Sequence, residues 1–171
     1  MPSQASFLCV SVDPAWSIVL IPMPPFSVFD RASPELMRWM ESIGISCSVQ
    51  AKNTLIREGD FTARVLVLLE GCLSVTTSDA QQRLNQLATV EPGGLVGEMS
   101  WLEQRPAVAN ITAEIDSTVL ELPTQDLDQL ELQHPALAAE LHRLIAQKLA
   151  IQIQRQNAWV HRLAPAPFQL E

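Results

Sequence analysis

The chain has 171 residues, of which 47% are hydrophobic, so it is long enough to bury a core and short enough to form one domain. Its formal net charge is −8, and its 11 lysines and arginines are scattered along the sequence. Because binding to a nucleic-acid backbone requires clustered basic side chains, this charge argues against a nucleic-acid surface.

Residues 1–32 form an apolar segment that several prolines interrupt. The segment has no lysine or arginine before Arg31, and the Asp13-Pro14 pair breaks its apolar run. Neither a secretory signal nor a membrane span fits these features. The prolines predict an extended arm, with one strand over 16–21. The sequence leaves open whether this arm packs against the core or binds an unidentified partner protein.

A short helix and then a series of strands are predicted after the arm. Ser33 and Pro34 favour a helix over 34–42, because serine caps free amides and proline suits a first helical turn. Seven short apolar or β-branched runs follow, separated by turns rich in glycine and aspartate. These runs are 47–50, 54–57, 64–70, 72–77, 84–90, 108–113 and 118–122. Many short strands at regular spacing predict a sandwich or barrel.

Two helical patterns, 124–131 and 135–160, follow the strands. Apolar side chains, including Leu141 and Ile145, recur at three- and four-residue steps along the second pattern. A helix of roughly 28 residues reaches about 42 Å, which exceeds the width of a small β-roll. We therefore expect the helix to pair with a second copy of the chain, forming a homodimer through this apolar seam. The alternative is a helix that folds back along its own roll.

A glycine-rich segment over 91–102 is the most distinctive part of the sequence. Gly93, Gly94 and Gly97 can adopt backbone angles closed to other residues, and 98–102 is predicted to form one short helical turn. The free amides at the start of such a turn, with the Glu98 carboxylate beside them, suit a ribose phosphate.

Catalytic and metal chemistry find no support in the residue types. The predicted strands contain no histidine, and the chain has no Gly-x-Ser-x-Gly motif, so we expect no enzyme activity and no metal site. Cys9, Cys47 and Cys72 are widely spaced and form no Cys-x-x-Cys pair. They predict reduced thiols in a cytoplasmic protein.

Three segments, in this order, resemble the cyclic nucleotide-binding domain family. They are 55–60, 65–75 and the glycine-rich segment with its following strand, 91–113. The resemblance extends over roughly 33 to 160 and implies a double-stranded β-helix, a jelly-roll-like β-roll, with a long C-terminal helix. It divides the chain into the arm over 1–32, the roll with flanking helices over 33–133, the dimerisation helix over 134–163 and a tail over 164–171. No DNA-binding helix-turn-helix is expected.

The resemblance also assigns roles within the phosphate-binding cassette of the family. Gly97 precedes the short helix, and Glu98 takes the role of the carboxylate that accepts from the sugar hydroxyls. The amides of Met99 and Ser100 take the phosphate role. The implied ligand is cyclic AMP, cyclic GMP or another small anion, and no cofactor is implied.

The chain departs from the family at the phosphate-binding cation. An alignment without gaps places Ala107, followed by Val108, where the family has its arginine, and Asn110 near the family's hydroxyl residue. Arg105 is the nearby basic residue that could substitute. The sequence therefore predicts a sensor domain that binds its nucleotide weakly, with a ligand-free dimerisation or adaptor protein as the alternative.

Overall fold

A computed structural model describes residues 27–81 and 83–163, and side chains as far as residue 157. The helices are α1 (Pro34–Ile43), α2 (Glu98–Glu103), α3 (Thr124–Gln133) and α4 (Pro135–Leu163). The strands are β1 (Ile45–Val49), β2 (Thr54–Ile56), β3 (Arg64–Glu70), β4 (Leu73–Ser78), β5 (Leu84–Val90), β6 (Leu95–Val96), β7 (Asn110–Ala113) and β8 (Ser117–Pro123). The predicted strand over 16–21 lies outside the described residues.

The described strands form two four-stranded antiparallel sheets, ordered β1-β8-β3-β6 and β2-β7-β4-β5. Strands far apart in the chain are neighbours, since β1 pairs with β8 and β2 with β7. Helices flank the two sheets, so the predicted β-roll with a long C-terminal helix is confirmed. β6 was not predicted, because two residues after a glycine pair are too short to show a periodic pattern.

β3 connects the two halves of the core, because alternate side chains of a strand point to opposite faces. Val65 and Val67 join a cluster formed with the helices, the helix-layer core, whereas Leu66 and Leu68 join a second cluster between the sheets. All four side chains are at most 1% exposed. A strand that is buried on both faces explains the continuous apolar run in its sequence.

The first half of α4 packs against its own chain. Leu141 and Ile145, which the paired-helix prediction placed at a dimer seam, are 1% and 2% exposed and lie in the helix-layer core. That placement is wrong, because an apolar stripe shows which face is buried but not which partner covers it. Further along, Ile151 is half-buried and Ile153 is 55% exposed.

Ser33 caps α1 as predicted and also fastens it to α4. Its hydroxyl accepts from the amide of Leu36 at 3.1 Å. The same hydroxyl donates to Glu140 of α4 at 2.8 Å. Polar contacts therefore fix the position of α4 in addition to its apolar face.

The cysteines differ from the expectation of reduced thiols. Cys72 is disulfide-bonded, and Cys47 is the free cysteine among the described residues. The prediction is wrong for Cys72, because the lack of a Cys-x-x-Cys motif does not exclude a disulfide bond. The predicted cytoplasmic location stays a prediction. Within the described residues, no helix combines the length and apolar character that crossing a membrane would need.

Glu58, in the turn after β2, ties that turn to the end of β4. Its carboxylate accepts from the Thr77 hydroxyl and from the Ser78 amide, each at 2.9 Å. The Ser78 amide, and then the Thr77 hydroxyl, lower the pKa of this carboxyl below its ordinary value of 4.5. The contacts favour the charged form, so their stabilisation is present above pH 4.5 and is lost as the pH falls through the lowered pKa.

We therefore expect Glu58→Gln to lose less stability on acidification than the unmodified protein. Urea denaturation above and below pH 4.5 measures this difference. Glu41→Gln, an exposed position on α1, is the control and should retain the acid dependence of the unmodified protein. If the unfolding free energy of Glu58→Gln fell with pH in parallel to that of the unmodified protein, the role of the carboxylate would be contradicted.

Candidate functional site

The short helix α2 begins where the glycine-rich segment predicts it. Gly97 is its N-cap, with a φ of 87° that L side chains rarely adopt. A Cβ at this position would also lie 3.0 Å from the carbonyl oxygen of Arg64. Glycine is therefore required for the chain to pass β3 and enter α2. No side chain caps the helix, and the amides of its first turn, including those of Met99 and Ser100, have no intrahelical acceptors.

Glu98, the predicted sugar-binding carboxylate, already has a partner within the chain. It is 2% exposed, and its Oε1 accepts from Nζ of Lys148 on α4. The Lys148 side chain is 17% exposed. A carboxylate buried this deeply needs a hydrogen-bonded counterion, and Lys148 supplies it. The sugar-binding role of Glu98 stays a prediction.

Sequence reasoning did not identify Lys148 as a site residue. It is separated from Glu98 by 50 positions and lies on another element. One signal was present, because Lys148 is seven residues after Leu141 and therefore lies on the apolar side of the helical pattern. A charge at such a position indicates a buried partner elsewhere in the fold.

Ala107, at the family's arginine position, belongs to the apolar interior of the roll. It is 7% exposed and packs in the cluster that contains Ile56 and Leu66. Its amide donates to the carbonyl of Asp60, and its carbonyl accepts from the amide of Gly59, both at 2.8 Å. These two bonds fix the backbone at the point where the side chain enters the roll. The next residue, Val108, is 57% exposed.

Arg105 lies outside this interior. Its amide donates to the carbonyl of Ser100 at 3.3 Å, and its side chain is exposed. Among the described residues its guanidinium has no hydrogen-bond or ion-pair partner, and it does not pair with Glu103. These contacts do not test whether Arg105 substitutes for the family's arginine, so that role stays a prediction.

Asn110 has a structural role at the start of β7. Its Oδ1 accepts from the amide of Glu58 at 3.0 Å, and its Nδ2 donates to the carbonyl of Thr76 at 3.4 Å. The first bond joins β7 to the turn after β2, and the second joins β7 to the neighbouring strand β4. The side chain therefore links β4, β7 and the turn after β2.

Trp101 connects α2 to the helices behind it. Its ring is 4% exposed, and its Nε1 donates to Asp128 of α3 at 2.8 Å. The ring centroid lies 5.5 Å from that of His142 on α4. This burial indicates a role in core packing and not one as a base-stacking platform. Together with Lys148, these contacts make α2 a direct neighbour of α4.

Comparison with known proteins places this geometry in a family. A model of the cyclic nucleotide-binding domain matches residues 46–134, which is more than half of the chain. Glutaminase 1 of Bradyrhizobium diazoefficiens is 30% identical over 124 residues, covering 71% of this chain and 19% of the glutaminase. The chain therefore spans about a fifth of that relative's length.

Solved structures with low identity share the fold. A cyclic nucleotide-binding domain from Methylobacillus flagellatus superposes with a TM-score of 0.72 at 22% identity, covering 80% of this chain and 77% of that one. The catabolite activator protein of Thermus thermophilus superposes with a TM-score of 0.65 at 22% identity, covering 78% and 62%. Given the family match, the β-roll and the cassette helix at Gly97, the chain belongs to the cyclic nucleotide-binding domain family.

Proposed function

We propose that this chain is a regulatory domain without catalytic activity, which binds a cyclic nucleotide weakly or another small anion and dimerises through α4. The observation that carries the proposal is Ala107, an apolar and buried side chain at the position of the family's phosphate-binding arginine. The cassette helix and its glutamate are retained, whereas the cation is not.

The magnitude of the missing interaction supports weak binding. Removing one partner of a largely buried charge pair costs on the order of 3 to 5 kcal/mol. That loss is about two to three and a half decades of affinity. A site that binds a nucleotide at micromolar concentration then becomes nearly millimolar, unless another cation substitutes.

Dimerisation is proposed from the length and exposure of α4. The helix runs on to Leu163, beyond the residues that pack in the helix-layer core. Ile153 exposes 55% of its surface on this second half. An exposed apolar side chain on a projecting helix suits pairing with the same helix of a second copy.

A second candidate is a ligand-free dimerisation or adaptor protein that binds a protein partner. The contact that favours it is the ion pair between Glu98 and Lys148, because it satisfies the buried carboxylate without any ligand. In that case the fold would present α4 without responding to a nucleotide. The two candidates differ in whether any nucleotide binds.

We expect calorimetric titration with cyclic AMP and cyclic GMP to give a nearly millimolar dissociation constant or no binding. Ala107→Arg should tighten binding by roughly 1.5 to 3 kcal/mol through a restored charge-assisted contact. Without ligand, the same variant should be less stable than the unmodified protein, because its new charge enters an apolar cluster.

The role of Arg105 has its own test in the same titration. Arg105→Ala should abolish the remaining binding if Arg105 is the substitute cation, whereas Arg38→Ala, an exposed arginine on α1, should have no effect. Submicromolar binding of cyclic AMP by both the unmodified protein and Arg105→Ala would contradict the weak site and the substitute role together.

A further inference from the structure

We propose that Lys148 is a specificity-determining residue of this site. Its ammonium group forms the hydrogen bond to the Glu98 carboxylate that a sugar hydroxyl would otherwise form. The inference rests on the proposed function and names the residue that decides what the site accepts. A ligand that needs Glu98 must first displace Lys148.

The two side chains differ in how deeply they are buried. Lys148 is 17% exposed, whereas Glu98 is 2% exposed. The carboxylate is therefore the more deeply buried partner, and the ammonium group of Lys148 is in hydrogen-bond contact with it. A ligand group that hydrogen-bonds to this carboxylate oxygen competes with the ammonium group for it.

Lys148 belongs to the same chain as Glu98 and competes with a ligand for its carboxylate. A tethered group has an effective concentration far above that of a free ligand present at micromolar levels. A sugar hydroxyl, which is neutral, must also replace a charge-assisted contact to a carboxylate with a weaker one. Both effects disfavour ligands that bind mainly through Glu98.

The placement of Lys148 depends on Glu98. The lysine shares a helical face with Leu141 and Ile145, both of which are buried in the helix-layer core. A charge beside such residues is unfavourable without a buried counterion. Among the described residues, Glu98 is the one carboxylate that forms an ion pair with Lys148. The position of Lys148 is therefore explained by its contact with Glu98 and not by the apolar packing of α4.

Displacing Lys148 also changes how α4 is held. The lysine lies between the first half of α4, which is packed on the core, and the second half, which carries the exposed Ile153. Breaking the contact releases α4 at that point. Binding of a sugar at Glu98 and the observed position of α4 therefore disfavour each other.

The test compares Lys148→Met with the unmodified protein in calorimetric titration with cyclic AMP. We expect Lys148→Met to bind about tenfold more tightly or better, because the internal competitor is gone. Lys148→Gln, which retains a donor for Glu98, is the second variant and should bind with an intermediate gain even if Lys148→Met fails to fold. Arg143→Met, an exposed arginine on the same helix, should leave the affinity unchanged.

An Ala107→Arg background separates this inference from the proposed function. If Ala107→Arg binds cyclic AMP and the added Lys148→Met or Lys148→Gln change gives no gain or a loss, the competitor role of Lys148 is overturned while the proposed function stands. If neither Ala107→Arg nor the double variants bind any cyclic nucleotide, both the proposed function and the role of Lys148 are wrong.

Discussion

Lys148→Met should destabilise the fold by on the order of 3 to 5 kcal/mol, because it leaves the Glu98 carboxylate buried without its counterion. This is a large part of the 5 to 15 kcal/mol that roughly holds a typical domain folded. Glu98→Gln should cost less, about 1 to 3 kcal/mol. The lysine is nearer to the surface and can extend its ammonium group into solvent.

The double variant Glu98→Gln/Lys148→Met distinguishes a pair from two independent residues. It should be more stable than the sum of the two single losses predicts, because no unpaired charge remains buried. Urea denaturation followed by far-ultraviolet circular dichroism measures all four proteins. Additive losses would contradict a direct contact.

Arg143→Met is the matched control for Lys148→Met, since both replace a basic residue on α4 by methionine. Arg143 is exposed, so its replacement should change the free energy of unfolding by no more than about 0.5 kcal/mol. If Lys148→Met also costs less than about 1 kcal/mol, the pair with Glu98 behaves like a solvated surface ion pair.

Seven of the described strands were predictable because each is a run of apolar or β-branched residues bounded by turn residues. The predicted limits of 64–70 and 84–90 match β3 and β5, and the predicted helix over 34–42 ends one residue before α1 does. Local chemistry decides these elements, through apolar and β-branched runs, a capping serine and turns rich in glycine. β6 has two residues and is held by its pairing with β3, so no local pattern identifies it.

The site was predictable only as far as its residues are neighbours in sequence. Gly97 and the helix that begins at Glu98 follow from one continuous segment. The partner of Glu98 does not, because it comes from α4 and the contact exists only when both elements pack together. Likewise, a helical stripe identifies Leu141 as buried but not the surface that buries it. The sequence therefore does not predict contacts between elements that are far apart in the chain.

The two halves of α4 should respond oppositely to substitution. Leu141→Ala should cost about 2 to 5 kcal/mol of unfolding free energy, because Leu141 is 1% exposed and its removal leaves a cavity in the core. Ile153→Asp should change the stability of the fold by no more than about 0.5 kcal/mol, because Ile153 is 55% exposed. If the second half of α4 forms the dimer, however, the same aspartate puts a charge into an apolar seam and weakens association.

Sedimentation equilibrium at tens of micromolar, roughly the range in which weak but specific dimers form, measures this association. We expect the unmodified protein to be a dimer and Ile153→Asp a folded monomer. Gln154→Asp, an exposed neighbour on the same helix, adds the same charge about 100° around the helix axis and should remain dimeric. A monomeric unmodified protein would exclude the homodimer. A dimeric Ile153→Asp would move the interface away from this face of α4, because the charge would then lie outside the contact between the two copies.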